Sequence, residues 1–175
     1  NSVMGDEIYY TLNGEEPSTG NMLYEEPISI SDRDGDLNYF CNFPTTPDFE
    51  TGYPIWEDPE VLLDKATVLR FCTFRNGVKT GRVETRTFFI DDEFTLPVLS
   101  IVSNEEGLFS DETGIYVPGN SFNPDELFSS GNYFKRGENW EREAHIDMFN
   151  KDGEHVLASD CGIRIHGGYS RISSL

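Results

Sequence analysis

The segment Thr67–Phe74, with the sequence TVLRFCTF, decides the fold of this chain. It is dense in β-branched and aromatic residues, which favour extended backbone. Asn76-Gly77 follows almost at once, and Asn-Gly is the strongest short signal for a hairpin turn. Beyond the turn, Arg82–Ile90 alternates β-branched with charged residues, as a half-buried strand does. Two such strands joined by an Asn-Gly turn predict an antiparallel sheet.

Strand patterns continue on both sides of this hairpin. Glu7–Leu12 ends in a second Asn-Gly pair, and Trp140–Phe149 places Ala144, Ile146 and Met148 on one face. Short strands separated by turn residues are typical of an antiparallel sandwich. The further predicted strands are Tyr24–Ile30, Leu96–Val102, Ile115–Val117 and Glu154–His166, the last of them broken near Ser159-Asp160.

Two short helical turns and one irregular insertion complete the prediction. Ser103 stands three residues before Glu106, which is the spacing of a capping box. Asn123 followed by Pro124 has the form of an N-cap with proline at the first helical position. The segment Leu37–Glu60 contains four prolines, so we expect neither helix nor central strand there. Its aromatic residues predict that it packs on the sheet.

Composition and charge restrict the class of function. Aromatic residues make up 13% of the 175 residues and hydrophobic residues 37%, enough to fill a core. The net charge is −19, with 17 acidic and 7 basic residues up to Asp91 and 15 and 6 after it. Such a field repels nucleic acid and anionic lipid. We expect no nucleic-acid partner, and no apolar run is long enough to predict membrane insertion.

The cysteines predict free thiols. Cys41 and Cys72 are able to pair within the first half, which would leave Cys161 over. No Cys-x-x-Cys spacing indicates a zinc or redox site. Free cysteines pack as small hydrophobes, so we favour free thiols. The sequence starts at Asn1 rather than Met, which leaves open whether an export signal has been removed.

A candidate anion site lies near the end of the sequence. Cys161–His166 alternates apolar and polar residues and then runs into Gly167 and Gly168, followed by Ser170 and Arg171. A strand that ends in such a loop presents backbone N–H groups, a hydroxyl and a guanidinium to an anion such as phosphate. The alternative is an ordinary turn that leaves Arg171 in solvent.

The remaining polar and aromatic clusters favour structural roles. Arg164 and His166 share one strand face, which we expect to be exposed. His145 and His155 lie on the two arms of a hairpin without a third spaced ligand, so no metal site is expected.

Two further clusters are read in the same way. The acids around Gly35 (Asp32, Asp34 and Asp36) lack the spacing of a calcium loop and predict a turn. A sugar-stacking platform is possible but less favoured than core packing for five aromatic residues: Tyr9, Tyr24, Tyr39, Tyr53 and Trp56.

The first half resembles the Ig-like module known as the chitobiase/β-hexosaminidase C-terminal-type domain. The matching segments are Ile8–Pro17 (IYYTLNGEEP), Tyr24–Ile28, Thr67–Arg70, Asn76-Gly77 and Thr87–Ile90. The departures are Asn13, where Asp is common, and the long insertion. The resemblance implies an Ig-like β-sandwich over residues 1–91.

The second half resembles the start of the CotH kinase family, the spore-coat protein H and its relatives. The matching segments are Leu96–Ile101 (LPVLSI), Gly114–Tyr116, Asn139–Arg142, Phe149–Gly153 and Gly162–Arg171. They follow in order over residues 92–175. The resemblance implies a partial β-rich (α+β) segment at the beginning of a kinase-like domain.

The two resemblances together imply a function. The parent protein is expected to lie outside the cytoplasm, on a cell surface or spore coat, and to phosphorylate Ser on surface or coat proteins with ATP and a divalent metal, Mg²⁺ or Mn²⁺. Gly167, Gly168, Ser170 and Arg171 would line the ATP phosphates. Catalytic and metal-binding residues are expected beyond Leu175, so the chain itself is expected to bind no cofactor and to be inactive. The alternatives are a non-catalytic surface or coat module and, less favoured, a glycan-binding one.

Overall fold

Antiparallel β-sheets dominate the computed structural model of the chain, which describes residues 5–47, 56–127, 129–168 and 171. The described strands are β1 (Glu7–Thr11), β2 (Met22–Leu23), β3 (Thr67–Arg75), β4 (Val78–Lys79), β5 (Glu84–Phe88), β6 (Val98–Ser103), β7 (Arg142–Phe149) and β8 (His155–Ile163). The helix α1 spans Glu105–Phe109, and short 3₁₀ turns span Phe40–Asn42, Pro124–Glu126, Asn132–Phe134 and Glu138–Trp140. The predicted mainly β class is confirmed.

Strand β3 is the centre of the five-stranded sheet because it is paired along both edges. Strand β1 runs antiparallel to it, from Glu7 opposite Phe74 to Thr11 opposite Arg70. Strands β5 and β4 share its other edge, and β2 pairs with the outer edge of β1. Cys72 and Phe74 of β3 are buried, at 2% and 6% exposure. The strand predicted from TVLRFCTF is confirmed, and it is the central strand of the sheet.

The β3–β4 turn has the backbone that its sequence predicts. Asn76 has a φ of 52° and Gly77 a φ of 78°. Both values lie in the left-handed region that a two-residue type I′ hairpin requires. Asn and Gly adopt this region at less cost than other residues, so the dipeptide fixes the register of β3 with β4.

Strands β6, β7 and β8 form a second, three-stranded sheet in that order. The turn between β7 and β8 is closed by the Asn150 N–H donating to the Glu154 carbonyl at 2.9 Å. Strand β8 continues through Ser159-Asp160 without the predicted break. On β7 the alternating buried residues include His145, Asp147 and Phe149, whereas Ile146 and Met148 are only half-buried.

The chain forms two compact units. The first holds residues 1–36, 64–102 and 145–160, and the second holds 37–63, 103–144 and 161–175. In the first unit the two sheets contact each other: Phe89 meets Phe149 edge-on at 5.2 Å, and the Thr87 and Ser100 hydroxyls are 2.8 Å apart. This arrangement is that of an Ig-like sandwich. The predicted domain boundary at residue 91 stays a prediction.

The second unit holds an aromatic cluster around α1. Phe43 stacks on Phe109 at 4.7 Å between ring centroids, and Tyr39 and Phe40 pack edge-on to each other. Tyr39, Phe40 and Phe43 of the proline-rich insertion therefore pack in this cluster rather than on the sheet, where the sequence predicts them to lie. The Tyr133 hydroxyl donates to the Thr45 carbonyl and holds another part of the insertion.

Three local predictions require correction. The N-cap of α1 is Asn104, whose Oδ1 accepts from the Glu106 N–H at 3.0 Å, and not Ser103. Ser103 instead donates its hydroxyl to the Glu143 carbonyl at 2.7 Å. The second strand is Met22–Leu23 and lies before the predicted segment Tyr24–Ile30, which forms no strand; Pro27 in that segment lacks the N–H that a ladder needs. Ile115 and Val117 are buried and Tyr116 is exposed, but the segment forms no strand.

The cysteines Cys41, Cys72 and Cys161 are all free, as predicted. Cys72 is buried and its thiol lies 3.0 Å from the Gly81 carbonyl oxygen, the geometry of an S–H donor. It therefore belongs to the core of the first unit.

Replacing Gly77 by Ala tests the constraint at the turn. The added Cβ meets no atom within 4 Å, so the cost is that of a left-handed alanine, about 1 kcal/mol of unfolding free energy. The measurement is the urea midpoint followed by circular dichroism. Gly35→Ala is the matched control, because Gly35 also has open space but no left-handed φ. Equal midpoints for the two variants would contradict the predicted turn constraint.

Candidate functional site

The predicted Gly-Gly loop lies in the second unit and turns the chain there. Gly167 has a φ of 132°, a value that other residues rarely adopt. The Arg171 N–H donates to the Gly168 carbonyl at 3.3 Å and closes the loop. Ser170 lies outside the described residues. The structure therefore brings three of the four predicted anion-site residues into one turn.

Arg171 is the most unusual side chain of this loop. It is only 4% exposed, so the alternative of an arginine in solvent is wrong. Its Nη1 donates to the Tyr133 carbonyl at 3.1 Å, and its guanidinium lies 5.3 Å from the centre of the Phe134 ring. Burial, with a smaller contribution from the nearby Arg136 cation, lowers the pKa of Arg171 below its ordinary value.

One edge of this guanidinium has no hydrogen-bond partner among the described residues. The Nε and Nη2 atoms of Arg171 are buried and make no hydrogen bond to the part of the chain that the structure describes. These two nitrogens lie on the same side of the planar group and point two parallel N–H donors outward. That edge is the fork with which arginine binds a carboxylate or a phosphate through two hydrogen bonds. Chemically, the site can hold an oxyanion.

The two polar residues before the loop do not share its environment. Strand β8 ends at Ile163, so Arg164 and His166 follow the strand and do not form a row on it. Both are exposed, while Ile165 between them is half-buried. Their predicted exposure is confirmed.

A second polar cluster, which the sequence did not predict, is centred on Asp147 in the first unit. This carboxylate is 1% exposed. Its Oδ2 accepts from the Thr87 N–H at 3.1 Å, and its Oδ1 lies 2.8 Å from Nε2 of His155 and 3.5 Å from Nε2 of His145. His145 is also buried, and its Nδ1 lies 2.7 Å from Oδ1 of Asp160.

The groups that contact Asp147 together affect its pKa more than its burial does. Burial raises the pKa of a carboxyl group, but the hydrogen bonds from His155 and Thr87, together with the His145 ring, hold the pKa of Asp147 below its ordinary value. Asp147 is therefore ionised at neutral pH although it is enclosed.

A signal for this cluster was present in the sequence. His145, Asp147 and Phe149 alternate along β7, and a hairpin turn at residues 150–153 returns His155 beside them. The apolar residues on the other face were the more conspicuous pattern. Within the described residues no three His, Cys, Asp or Glu side chains are grouped as a metal ion requires.

The other predicted clusters have structural roles. Tyr9 packs edge-on to Phe74 across the β1–β3 pair at 5.4 Å, and the Tyr39 hydroxyl donates to Glu105 at 3.0 Å. Tyr24 is 45% exposed, and Tyr53 lies outside the described residues. The predicted cross-strand role is confirmed for Tyr9.

The acidic segment around Gly35 is a turn, as predicted. The Asp34 N–H donates to Oδ1 of Asp32 at 2.9 Å, and Arg33 pairs with Asp36 at 2.8 Å. This turn borders an open cleft of about 770 Å³ in the first unit, which Tyr10 and Asn13 also line.

Replacing Asp147 by Asn tests the buried carboxylate. Asn keeps the shape but removes the charge that accepts from Thr87 and His155, so we expect about 2 kcal/mol less unfolding free energy at pH 7. Because the folded-state pKa is below the ordinary value, the Asp147 contribution is present above about pH 4 and is lost as pH falls through the lowered pKa.

The measurement for this substitution is urea unfolding at several pH values. The unfolding free energy of Asp147→Asn should fall less than that of the wild type as pH decreases, because the variant has no carboxylate to protonate at this position. Asp152→Asn is the control, since its side chain is exposed and pairs only with the adjacent Lys151 among the described contacts. Equal stability of the two variants would refute the role of the buried charge.

Comparison with known proteins identifies the first half of the chain. Residues 2–88 match the family described as Fn3 associated. No curated protein and no solved structure matches the chain. None of the described helices has the length and apolar character needed to span a bilayer. The matched segment contains β1 to β5, the whole five-stranded sheet. Residues 2–88 are therefore an Fn3-associated module of the Ig/Fn3-like type.

Proposed function

We propose that this chain belongs to an extracellular or cell-surface protein in which the Fn3-associated module precedes the first part of a CotH-type kinase-like domain. The parent protein transfers the γ-phosphate of ATP to Ser on surface or spore-coat proteins. The module serves as a spacer or docking unit for that domain. The in-order resemblance from Leu96 to Arg171 supports this assignment for residues 92–175.

The buried guanidinium of Arg171 is the observation that carries the proposal. Taking polar groups out of water is unfavourable unless they gain hydrogen bonds, and Nε and Nη2 have gained none within the described residues. The nearby charged group that affects it is another cation, Arg136. In a chain with a net charge of −19, this electrostatic effect of one arginine on another indicates a locally positive environment. A phosphate group fits both the charge and the fork geometry.

The residues present fit a phosphate better than they fit a metal. The Nε and Nη2 groups of Arg171 supply donors for phosphate oxygens. Phosphoryl transfer also uses a divalent metal, which neutralises charge on the phosphates and is held by carboxylates. No group of such ligands occurs among the described residues. In this proposal the chain contributes phosphate binding and positioning, and we expect it to show no phosphoryl transfer by itself.

Phosphoryl transfer by the parent protein tests the proposal. Incubation of the longer protein with γ-labelled ATP, Mg²⁺ or Mn²⁺ and Ser-rich coat peptides should label Ser. Arg171→Ala should reduce the rate by about ten- to a hundredfold, the value of one charge-assisted hydrogen-bonded contact. Arg171→Lys keeps the charge but loses the fork of parallel donors, so its rate should lie between those of the wild type and Arg171→Ala.

The control for these variants is Arg164→Ala, because Arg164 is exposed and lies outside the loop. Circular dichroism and urea unfolding establish that each variant is folded. If the longer protein labels neither itself nor the peptides, the kinase proposal fails.

The second candidate is a non-catalytic binding module on the cell or spore surface. The open cleft of about 770 Å³ beside the Asp32–Asp36 turn favours it, because its lining combines an aromatic ring with amide and charged groups. Such a surface suits a polar ligand such as a glycan. Retention of the whole chain on chitin or on a glycan array, reduced by Asn21→Ala and Tyr10→Ala but not by Gly35→Ala, would support this candidate.

A further inference from the structure

Six large apolar or aromatic side chains are exposed on the second unit. They come from residues 37–40, from residues 61–62 and from the segment that follows α1. Leu37 is the most exposed at 85%, and Val61 follows at 66%. The other members are each about half exposed: Tyr39, Phe40, Leu62 and Tyr116. We call these six residues the apolar patch.

Direct contacts join the three parts of the apolar patch. Phe40 stacks on Phe109 of α1 at 6.0 Å between ring centroids, and Tyr116 meets Phe109 edge-on at 6.5 Å. Asn38 ties the first part to the second: its Nδ2 donates to the Val61 carbonyl at 2.8 Å, and its Oδ1 accepts from the N–H two residues further along at 3.1 Å. The patch is therefore one continuous and preorganised surface.

A surface of this kind differs from the scattered apolar residues that every soluble protein exposes. Contiguous apolar side chains with a polar border mark interaction sites, because a partner that covers them removes apolar area from water. The core of protein interfaces is also enriched in aromatic residues. One ring of the patch is held in position, since the Tyr39 hydroxyl donates to Glu105 at 3.0 Å.

The charge in the stretches that form the patch has one sign. Residues 37–63 contain five acidic side chains and residues 103–134 contain six, and neither stretch contains Lys, Arg or His. Asp58 and Glu60 are exposed just before Val61. A partner that covers the patch therefore meets a negative border, and a cationic partner is complementary to it.

The arginine that reaches α1 is engaged elsewhere. The Arg142 side chain packs against Gly107 of α1. Its Nε donates to the Thr113 carbonyl at 3.0 Å, and its guanidinium lies 5.2 Å from the centre of the Trp140 ring. Its contacts are thus a carbonyl and a ring, and the acidic residues of α1 stay available to a partner.

We propose that the apolar patch docks a basic amphipathic segment of another protein, one that combines Leu-sized or aromatic side chains with Lys or Arg. The apolar side chains of this segment cover the patch. Its cations pair with the acidic border or lie on the faces of the exposed rings. A second copy of this chain is the poorer occupant, since both copies would carry a charge of −19. The patch shares no residue with the Arg171 loop, so the proposal is independent of the kinase proposal.

Calorimetric titration of the whole chain with designed peptides tests the chemistry of the occupant. An amphipathic peptide of Leu and Lys should bind, and its affinity should fall as the salt concentration rises. The same peptide with Glu in place of Lys should not bind. With Ser in place of Leu, the dissociation constant should be larger by about tenfold or more, because the apolar contact is lost.

The double variant Leu37→Ser with Val61→Ser tests the location. Both side chains are exposed, so the fold should be kept, and the Leu/Lys peptide should bind about tenfold or more weakly. The matched control is Leu96→Ser with Val78→Ser, whose side chains are 72% and 65% exposed but belong to the first unit. This control should bind as the wild type does. Circular dichroism establishes that each variant is folded.

A second pair of variants tests the acidic border. Asp58→Asn with Glu60→Gln should weaken binding by about threefold or more at low salt and have little effect at high salt. Glu25→Gln with Glu26→Gln is the control, because it gives the same net charge by replacing exposed residues of the first unit. This control should retain the wild-type affinity.

Several outcomes would overturn the proposal. It fails if the Leu/Lys peptide does not bind, if the Glu peptide binds equally well, or if either patch variant binds as its control does. It also fails if the chain alone sediments as a dimer that Leu37→Ser with Val61→Ser dissociates, because a second copy would then occupy the patch. Capture by phosphatidylcholine vesicles that the same variant abolishes would likewise replace the protein partner by a lipid surface.

Discussion

A single buried carboxylate, that of Asp147, constrains the sandwich of the first unit. An ionised group at 1% exposure is tolerable only when hydrogen bonds replace the water that it has lost. Those bonds come from different strands: a backbone N–H of β5 and an imidazole of β8 reach the two oxygens of a β7 side chain. The strands must therefore lie where these donors meet. Apolar contacts such as that of Phe89 with Phe149 fill the space beside these strands, but such contacts do not fix the strand positions as hydrogen bonds to a buried charge do.

The local sequence was sufficient to predict those strands and turns whose backbone conformation is determined by their own residues. The β-branched and aromatic composition of Thr67–Arg75 and the Asn-Gly pair after it determine a strand and a type I′ turn with little help from elsewhere. The N-cap at Asn123 was predicted for the same reason. The cap of α1 was misplaced by one residue because Ser103 and Asn104 are both good caps, and a distant carbonyl, that of Glu143, takes the serine hydroxyl.

The candidate sites depended on contacts that sequence spacing does not contain. The Gly-Gly loop was recognisable, but the burial of Arg171 depends on Tyr133 and Phe134, which precede it by almost forty residues. The Asp147 cluster was missed because a strand with apolar residues on one face and polar residues on the other is ordinarily read with the polar face outward. Here the face with His145 and Asp147 is buried, with Asp147 bonded to His155 and the Thr87 N–H and His145 bonded to Asp160.

The outer edge of β8 has a consequence for how the protein behaves in solution. Along the described residues this strand pairs with β7 alone, and Val156 and Leu157 are about half exposed on it. An unpaired strand edge is a template onto which another strand can add. The opposing force is repulsion between copies that each carry a charge of −19. Dissolved ions screen that repulsion over about 10 Å at 0.1 M salt, so concentrated solutions stay dispersed best at low ionic strength.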